Sequence, residues 1–191
     1  MNTLFLQVKN FFKEPRYKQM REVFWFVVIT LAIHYSYRFW ANTLNYWPIQ
    51  AWMNELQQTM AGWIFTQSTW LDQHVLHISY QSSGQMIQFG NGSRIAINSS
   101  CAGDKQILQF LLLLLIYPGS WKHKSWYIPL GMLVIYCTNL LRIVLVSTVA
   151  VNIPKWLVVA HDTVLRGMFY AVIFFLWLIW VRVINSKEVN P

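Results

Sequence analysis

Hydrophobic residues run along this chain in three different rhythms. In four stretches, at residues 23–40, 101–117, 126–151 and 163–184, apolar side chains recur on every side. Each approaches the roughly 20 residues a helix needs to cross a bilayer. A fifth stretch, 51–71, is apolar on one side only. Trp52, Leu56, Met60, Trp63 and Ile64 recur at helical spacing, while Asn54, Glu55, Gln57 and Gln58 fill the other side. That pattern predicts an amphipathic helix lying in the interface. The third rhythm belongs to residues 74–98, where short runs at 75–80, 85–89 and 94–98 are separated by Ser82-Ser83-Gly84 and Gly90-Asn91-Gly92. Turn residues between such runs predict a small β-meander. It must lie outside the hydrocarbon, because an open sheet edge leaves backbone groups unsatisfied in lipid. The expected fold class is an all-α polytopic membrane protein: about four transmembrane helices, one interfacial amphipathic helix and a small extracytoplasmic β-meander. Residues 1–191 form one membrane domain, in which 1–22 are a basic lead-in and 101–184 a three-span core.

Composition agrees with lipid as the solvent. The chain is 55% hydrophobic and 12% charged, about half the charge usual in a soluble domain. Its 11 Trp and 9 Tyr suit rings at two membrane interfaces. The net charge of +8 invites a nucleic-acid reading, but the bases form no binding face. Lys9, Lys13, Arg16, Lys18 and Arg21 precede the first apolar stretch, Lys122 and Lys124 sit in a short predicted loop, and Arg182 and Lys187 follow the last stretch. The positive-inside rule puts cations at such places. With the N-terminus, the 119–125 loop and the C-terminus inside, nine of the 15 Lys and Arg are cytoplasmic. The 51–71 helix then does not cross. No small-residue cleavage site follows the first apolar stretch, so it reads as a retained anchor in a multi-pass inner-membrane protein. Nucleic acid is excluded as a partner; the bilayer is the first one implied.

Depth in the membrane brings three reactive side chains together. Cys101 is 16 residues above Tyr117, and Arg142 is 16 residues above Trp126. At 1.5 Å per residue both stand roughly 24 Å above the inner turn. His161 reaches the same stratum from the other direction. Cys101 follows Ser99-Ser100, an N-cap pair, and is expected to open a helix whose positive end favours thiolate, with Asp104 opposing that effect. His161 suits the proton-transfer role, and Asp162 either orients its imidazole or caps the helix. Arg142 suits an oxyanion, and Asn139, one turn below, suits holding Arg142 or binding substrate backbone.

Cys101-Ala102-Gly103, Asn139-Leu140-Leu141-Arg142 and His161-Asp162 resemble, in that order, the three motifs of the exosortase/archaeosortase family. The resemblance covers roughly residues 75–184. It implies a membrane cysteine transpeptidase with Cys101 as nucleophile, Arg142 as transition-state stabiliser and His161 as proton-transfer residue. It further implies exported protein substrates that carry a C-terminal sorting signal (a short motif, a transmembrane helix and a basic tail). Cleavage would occur at the outer face, followed by transfer to an unknown acceptor. The chain is shorter than the eight-helix members.

Other roles are open to the same residues. A thiol-dependent acyl- or lipid-transferase would use the same cysteine, and a non-enzymatic assembly subunit would use the polar residues only to hold helices together. No cofactor is required by the expected chemistry. His74 and His77 are expected to share a strand face, but with no clear third ligand they argue for no metal. Cys137 is expected to be a small packing residue. Trp121, Trp126, Trp156 and Tyr127 are expected at the interface.

Overall fold

The computed structural model describes residues 18–184. The chain divides into two units between Asn45 and Tyr46. The first contains α1 (Lys18–Asn42). Its stretch Met20–Asn42 has a mean hydropathy of 1.2 and is only 6% buried. Phe24, Trp25, Val27 and Leu31 face outward, as side chains meant for lipid would. Twenty-three residues rise about 35 Å, enough to cross a hydrocarbon layer of about 30 Å. Most of the basic lead-in, residues 1–17, lies outside the described residues.

The second unit opens with α2 (Gln50–His74). Its apolar periodicity continues past residue 71, so the helix runs longer than 51–71. Met53, Gln57, Ala61, Ile64, Ser68, Thr69 and Asp72 form its buried face at spacings of three and four. Ala61 and Ser68 keep that face slim, which lets another backbone approach closely. α2 is not among the helices long and apolar enough to cross a membrane.

β1 (Tyr80–Ser83), β2 (Met86–Phe89) and β3 (Arg94–Ala96) form an antiparallel sheet in the order β1-β2-β3. The first strand begins five residues later than the 75–80 run predicts. The helix continues to His74, Leu76 N–H still bonds back to Leu71, and His77 takes φ 53° in the bend that follows. His74 therefore ends a helix, stacked on Trp70, and His77 sits in a turn; they share no strand face. Ser82 and Ser83 pair with Ile87 and Met86, and the turn falls at Gly84, whose φ of +60° suits glycine. Ile87, Phe89 and Ile97 point inward and meet Ile64, Cys101, Ile143 and Ala150 in one core cluster.

α3 (Asp104–Ile116) has 13 residues and α4 (Trp121–Asn152) has 32. The predicted span 101–117 is thus shortened at its start, because Gly103 adopts φ +80° and cannot continue a right-handed helix. At about 20 Å α3 falls short of the hydrocarbon thickness. α4, with a mean hydropathy of 1.9, is about 48 Å long and exceeds it. Lys124 is not in a solvated loop. It lies in the first turn of α4, 4% exposed, and its Nζ donates to the Leu115 and Tyr117 carbonyls. Those contacts satisfy orphan acceptors at the end of α3.

The chain then passes through a 3-10 turn (Pro154–Trp156), a single helical turn (Leu157–Val159) and a π turn (Ala160–Val164) into α5 (Leu165–Ile179) and a second π turn (Trp180–Ile184). Its apolar run Gly167–Arg182 is shorter than α1 and α4, the two helices that pass as membrane spans by length and composition. The architecture is mostly helical with one small sheet. Tyr127 is not an interface residue: it is buried between α4 and α5, donates its hydroxyl to the Leu176 carbonyl at 2.7 Å, and lies 5.4 Å from Trp180. Trp121, Trp126 and Trp156 are exposed.

Candidate functional site

Cys101 closes a 3-10 turn, Ser99–Cys101, whose cap is Asn98. Asn98 Oδ1 accepts from Ser100 N–H at 3.1 Å, and its carbonyl accepts from Cys101 N–H at 2.8 Å. The serines therefore do not cap a helix that begins at Cys101. Gly103 is the N-cap of α3, so the thiol stands just before that helix and not in its first turn. The cause is steric. A Cβ on Gly103 would lie 2.8 Å from Asn139 Nδ2, and the left-handed φ disfavours any other residue. Glycine lets the backbone fold tightly over Asn139. Cys101 is 7% exposed.

Asn139 Nδ2 donates to the Cys101 carbonyl at 2.8 Å. Its amide holds the Cys101 backbone. This bond also fixes relative depth: Cys101 sits at the level of Asn139, one helical turn below Arg142. Asn139 and Arg142 are both buried on the same face of α4, three residues apart and hence neighbours.

Arg142 Nη2 lies 2.9 Å from His161 Nε2. A guanidinium only donates, so in this bond Nε2 is the acceptor. The guanidinium carbon also stands 5.8 Å from the centre of the Phe169 ring, a distance at which the cation is attracted to the π face. His161 lies in the π turn Ala160–Val164. Such turns insert one residue into a helix and are frequent at functional sites. The structure thus brings together two pairs, Asn139 with Cys101 and Arg142 with His161, joined by one turn of α4. The side chains of Asp162 and Arg166 lie outside the described residues.

Gln57 is a member of this neighbourhood that the sequence reasoning missed. Its Nε2 donates to Asp104 Oδ2 at 2.8 Å and approaches the Tyr46 hydroxyl at 3.1 Å. The Asp104 carboxylate is therefore engaged by α2. Gln57 is expected on the polar side of α2, yet it falls on the buried stripe with Ala61 and Ile64, while Trp52 and Trp63 of the expected apolar side are exposed. Further along that stripe, Asp72 is fully buried. The Ser147 hydroxyl lies beside it without closing a full hydrogen bond. Burial pushes the Asp72 carboxyl up to about 6, and Ser147 offsets only part of that effect.

Both cysteines are free. Cys137 faces outward and not into the core, because the buried stripe of α4 passes through Ile135 and Asn139 on either side of it. Among the described residues, no three His, Cys, Asp or Glu side chains gather as metal ligands would.

A model of the transmembrane exosortase family (Exosortase_EpsH) matches residues 18–180, most of the chain. The chain belongs to the transmembrane exosortase family. Members are membrane proteins, generally cysteine transpeptidases acting on exported protein substrates. No curated protein and no solved structure matches the chain. In this exosortase the matched span takes in α1, the meander and every side chain of the two pairs.

Proposed function

We propose that this exosortase is a cysteine peptidase/transpeptidase that cleaves the C-terminal sorting signal of exported proteins at the outer face of the membrane. The 2.9 Å Arg142–His161 bond, one turn above the amide that holds Cys101, carries the reading. A thiol, an imidazole and a fixed cation are the three groups that acyl transfer through a thioester needs.

In this mechanism the bound scissile carbonyl draws the Arg142 guanidinium away from His161, which frees the Nε2 lone pair. The Cys101 thiol gives its proton to that nitrogen and attacks the carbonyl carbon, and Arg142 faces the oxyanion that forms. Collapse breaks the C–N bond, His161 returns the proton to the leaving amine, and the exported protein remains on Cys101 as a thioester. Water or an amine acceptor then attacks the thioester, again with His161 taking the proton, and the thiol is regenerated. Asn139 holds the Cys101 backbone throughout. Asp162 is assigned to orienting His161. The N- and C-termini are assigned to the cytoplasm, in keeping with the basic clusters at both ends.

A mass-spectrometric survey of protein C-termini, in cells carrying the wild-type chain or Cys101→Ala, tests the reading. Exported proteins that keep a C-terminal helix and basic tail only in the variant establish signal cleavage. Unchanged C-termini, with the variant normally expressed, overturn it.

A further inference from the structure

The sheet leaves β3 open along one side. Ile97 N–H bonds to the Gln85 carbonyl and Phe89 N–H to the Ser93 carbonyl, and Ile95 is paired with Ile87. Residues 93, 95 and 97 therefore turn their backbone groups toward β2. In a strand the intervening residues turn theirs the other way. The N–H and C=O groups of Arg94 and Ala96 thus point away from the sheet. They have no partner among the described residues, and both residues are exposed. An edge of this kind is a ready template for another extended chain.

Two further facts give the edge a direction. Asn91, in the turn before β3, donates to the Ala150 and Val151 carbonyls near the outer end of α4. Cys101, just after β3, is bonded to Asn139. The 11 residues from Asn139 to Ala150 rise about 16 Å. β3 therefore descends along α4 and delivers the chain into the nucleophile's turn. A strand added to its free edge would lie about 4.8 Å away, whereas one added to β1 would lie two strands, about 10 Å, farther off.

We infer that the free edge of β3 is the substrate-recognition edge, where the extended segment preceding the substrate's membrane helix docks as a fourth strand. The inference rests on the peptidase reading, since it takes Cys101 as the point of cleavage. An exported substrate runs from its folded domain outside toward its helix in the membrane, and β3 runs the same way, so the added strand is parallel. Backbone bonds to Arg94 and Ala96 supply sequence-tolerant affinity and hand the scissile carbonyl down toward Cys101.

The test uses the full chain in lipid nanodiscs and a synthetic peptide copied from the C-terminal region of an exported protein found by the C-terminal survey. Ala96→Pro removes an N–H that the sheet does not use and puts a ring on the edge. Ala96→Val keeps the N–H. Expected are a tenfold or greater loss of kcat/KM for the proline variant, mostly in KM, and near-wild-type values for valine. Both should alkylate at Cys101 with iodoacetamide as fast as wild type. Should the proline variant fail to fold, amide-to-ester replacement along the peptide decides, because strand pairing predicts losses at alternate positions. Uniform tolerance of the esters, or normal turnover by a folded Ala96→Pro, overturns strand docking while Cys101→Ala stays inactive. Turnover by Cys101→Ala would instead remove the peptidase reading itself.

Discussion

The two halves of α4 bury different mixtures of side chains. From Trp121 to Ile135 the helix buries one charged side chain, Lys124, with Tyr127, Gly131 and Ile135, and Phe110 and Trp180 lie beside them. From Asn139 to Ala150 it buries Asn139, Arg142 and Ser147 among Ile143, Val146 and Ala150, and α2 contributes the buried polar Gln57, Ser68, Thr69 and Asp72. Buried polar groups are costly wherever their partners are incomplete. The N-terminal half therefore packs mostly through apolar and aromatic side chains, while the C-terminal half carries more buried polar groups and gives up some of that stability. On the proposed peptidase reading substitutions should separate the two: changes in the C-terminal half should cost activity, and changes in the N-terminal half should cost stability.

The largest effect is expected at Arg142. Arg142→Ala should lower substrate processing by about 10²–10³, with expression and membrane insertion unchanged; single-turnover formation of the thioester is the measurement. Normal turnover would place the transition-state cation elsewhere. Next is Asn139→Ala, which leaves the buried Cys101 carbonyl without its donor, a loss of about 1–3 kcal/mol. It should slow Cys101 acylation roughly tenfold or more, while Asn139→Asp, which loses the donor but keeps the shape, should not restore it.

In the N-terminal half, Gly131→Ala would drive a methyl group into the Phe110 ring. It should destabilise the fold by about 1–3 kcal/mol, read as a lower midpoint of thermal unfolding in detergent. The activity of the molecules that remain folded should be unchanged; a catalytic defect there would break the division between the two halves.

The smallest effect concerns Asp72. Its folded-state pKa of about 6 stands above the ordinary 3.8, so the folded protein binds the proton more tightly. Its contribution to stability is present at low pH, falls as pH rises from 3.8 to about 6, and stays lost above that. Asp72→Asn should flatten this part of the pH profile and raise thermal stability at about pH 8. A profile identical to wild type would mean the carboxyl is not what titrates.

Much of this division was legible in the chain. The apolar stretches marked the helices, but counting residues from the 117–126 turn set Cys101 and Arg142 at one depth, whereas the bond to Asn139 sets Cys101 one helical turn from Arg142. What the count could not supply was local geometry. A serine pair before a cysteine reads as a helix cap, but the steric demand of Asn139 on Gly103 breaks the helix and moves its start to Asp104. Lys124 read as a loop cation and Tyr127 as an interface residue because their types are common at those places. Their burial depends on the carbonyls at the end of α3 and at Leu176, which only packing brings within reach. Likewise Gln57 gained its role from Asp104, 47 residues away. In α2 periodicity gave the helix but not its inward face, since Trp52 and Trp63 are exposed and Gln57 is buried.

The π turn at His161 adds a point about tolerance to deletion. A π turn holds one residue more than the α-helix around it, so loss of a single residue between Leu157 and Ala160 would heal the turn into ordinary helix. Because each helical residue advances about 100° around the axis, the repair would swing the imidazole away from Arg142. Shortening the chain by one residue there would make a more regular helix and an idle enzyme.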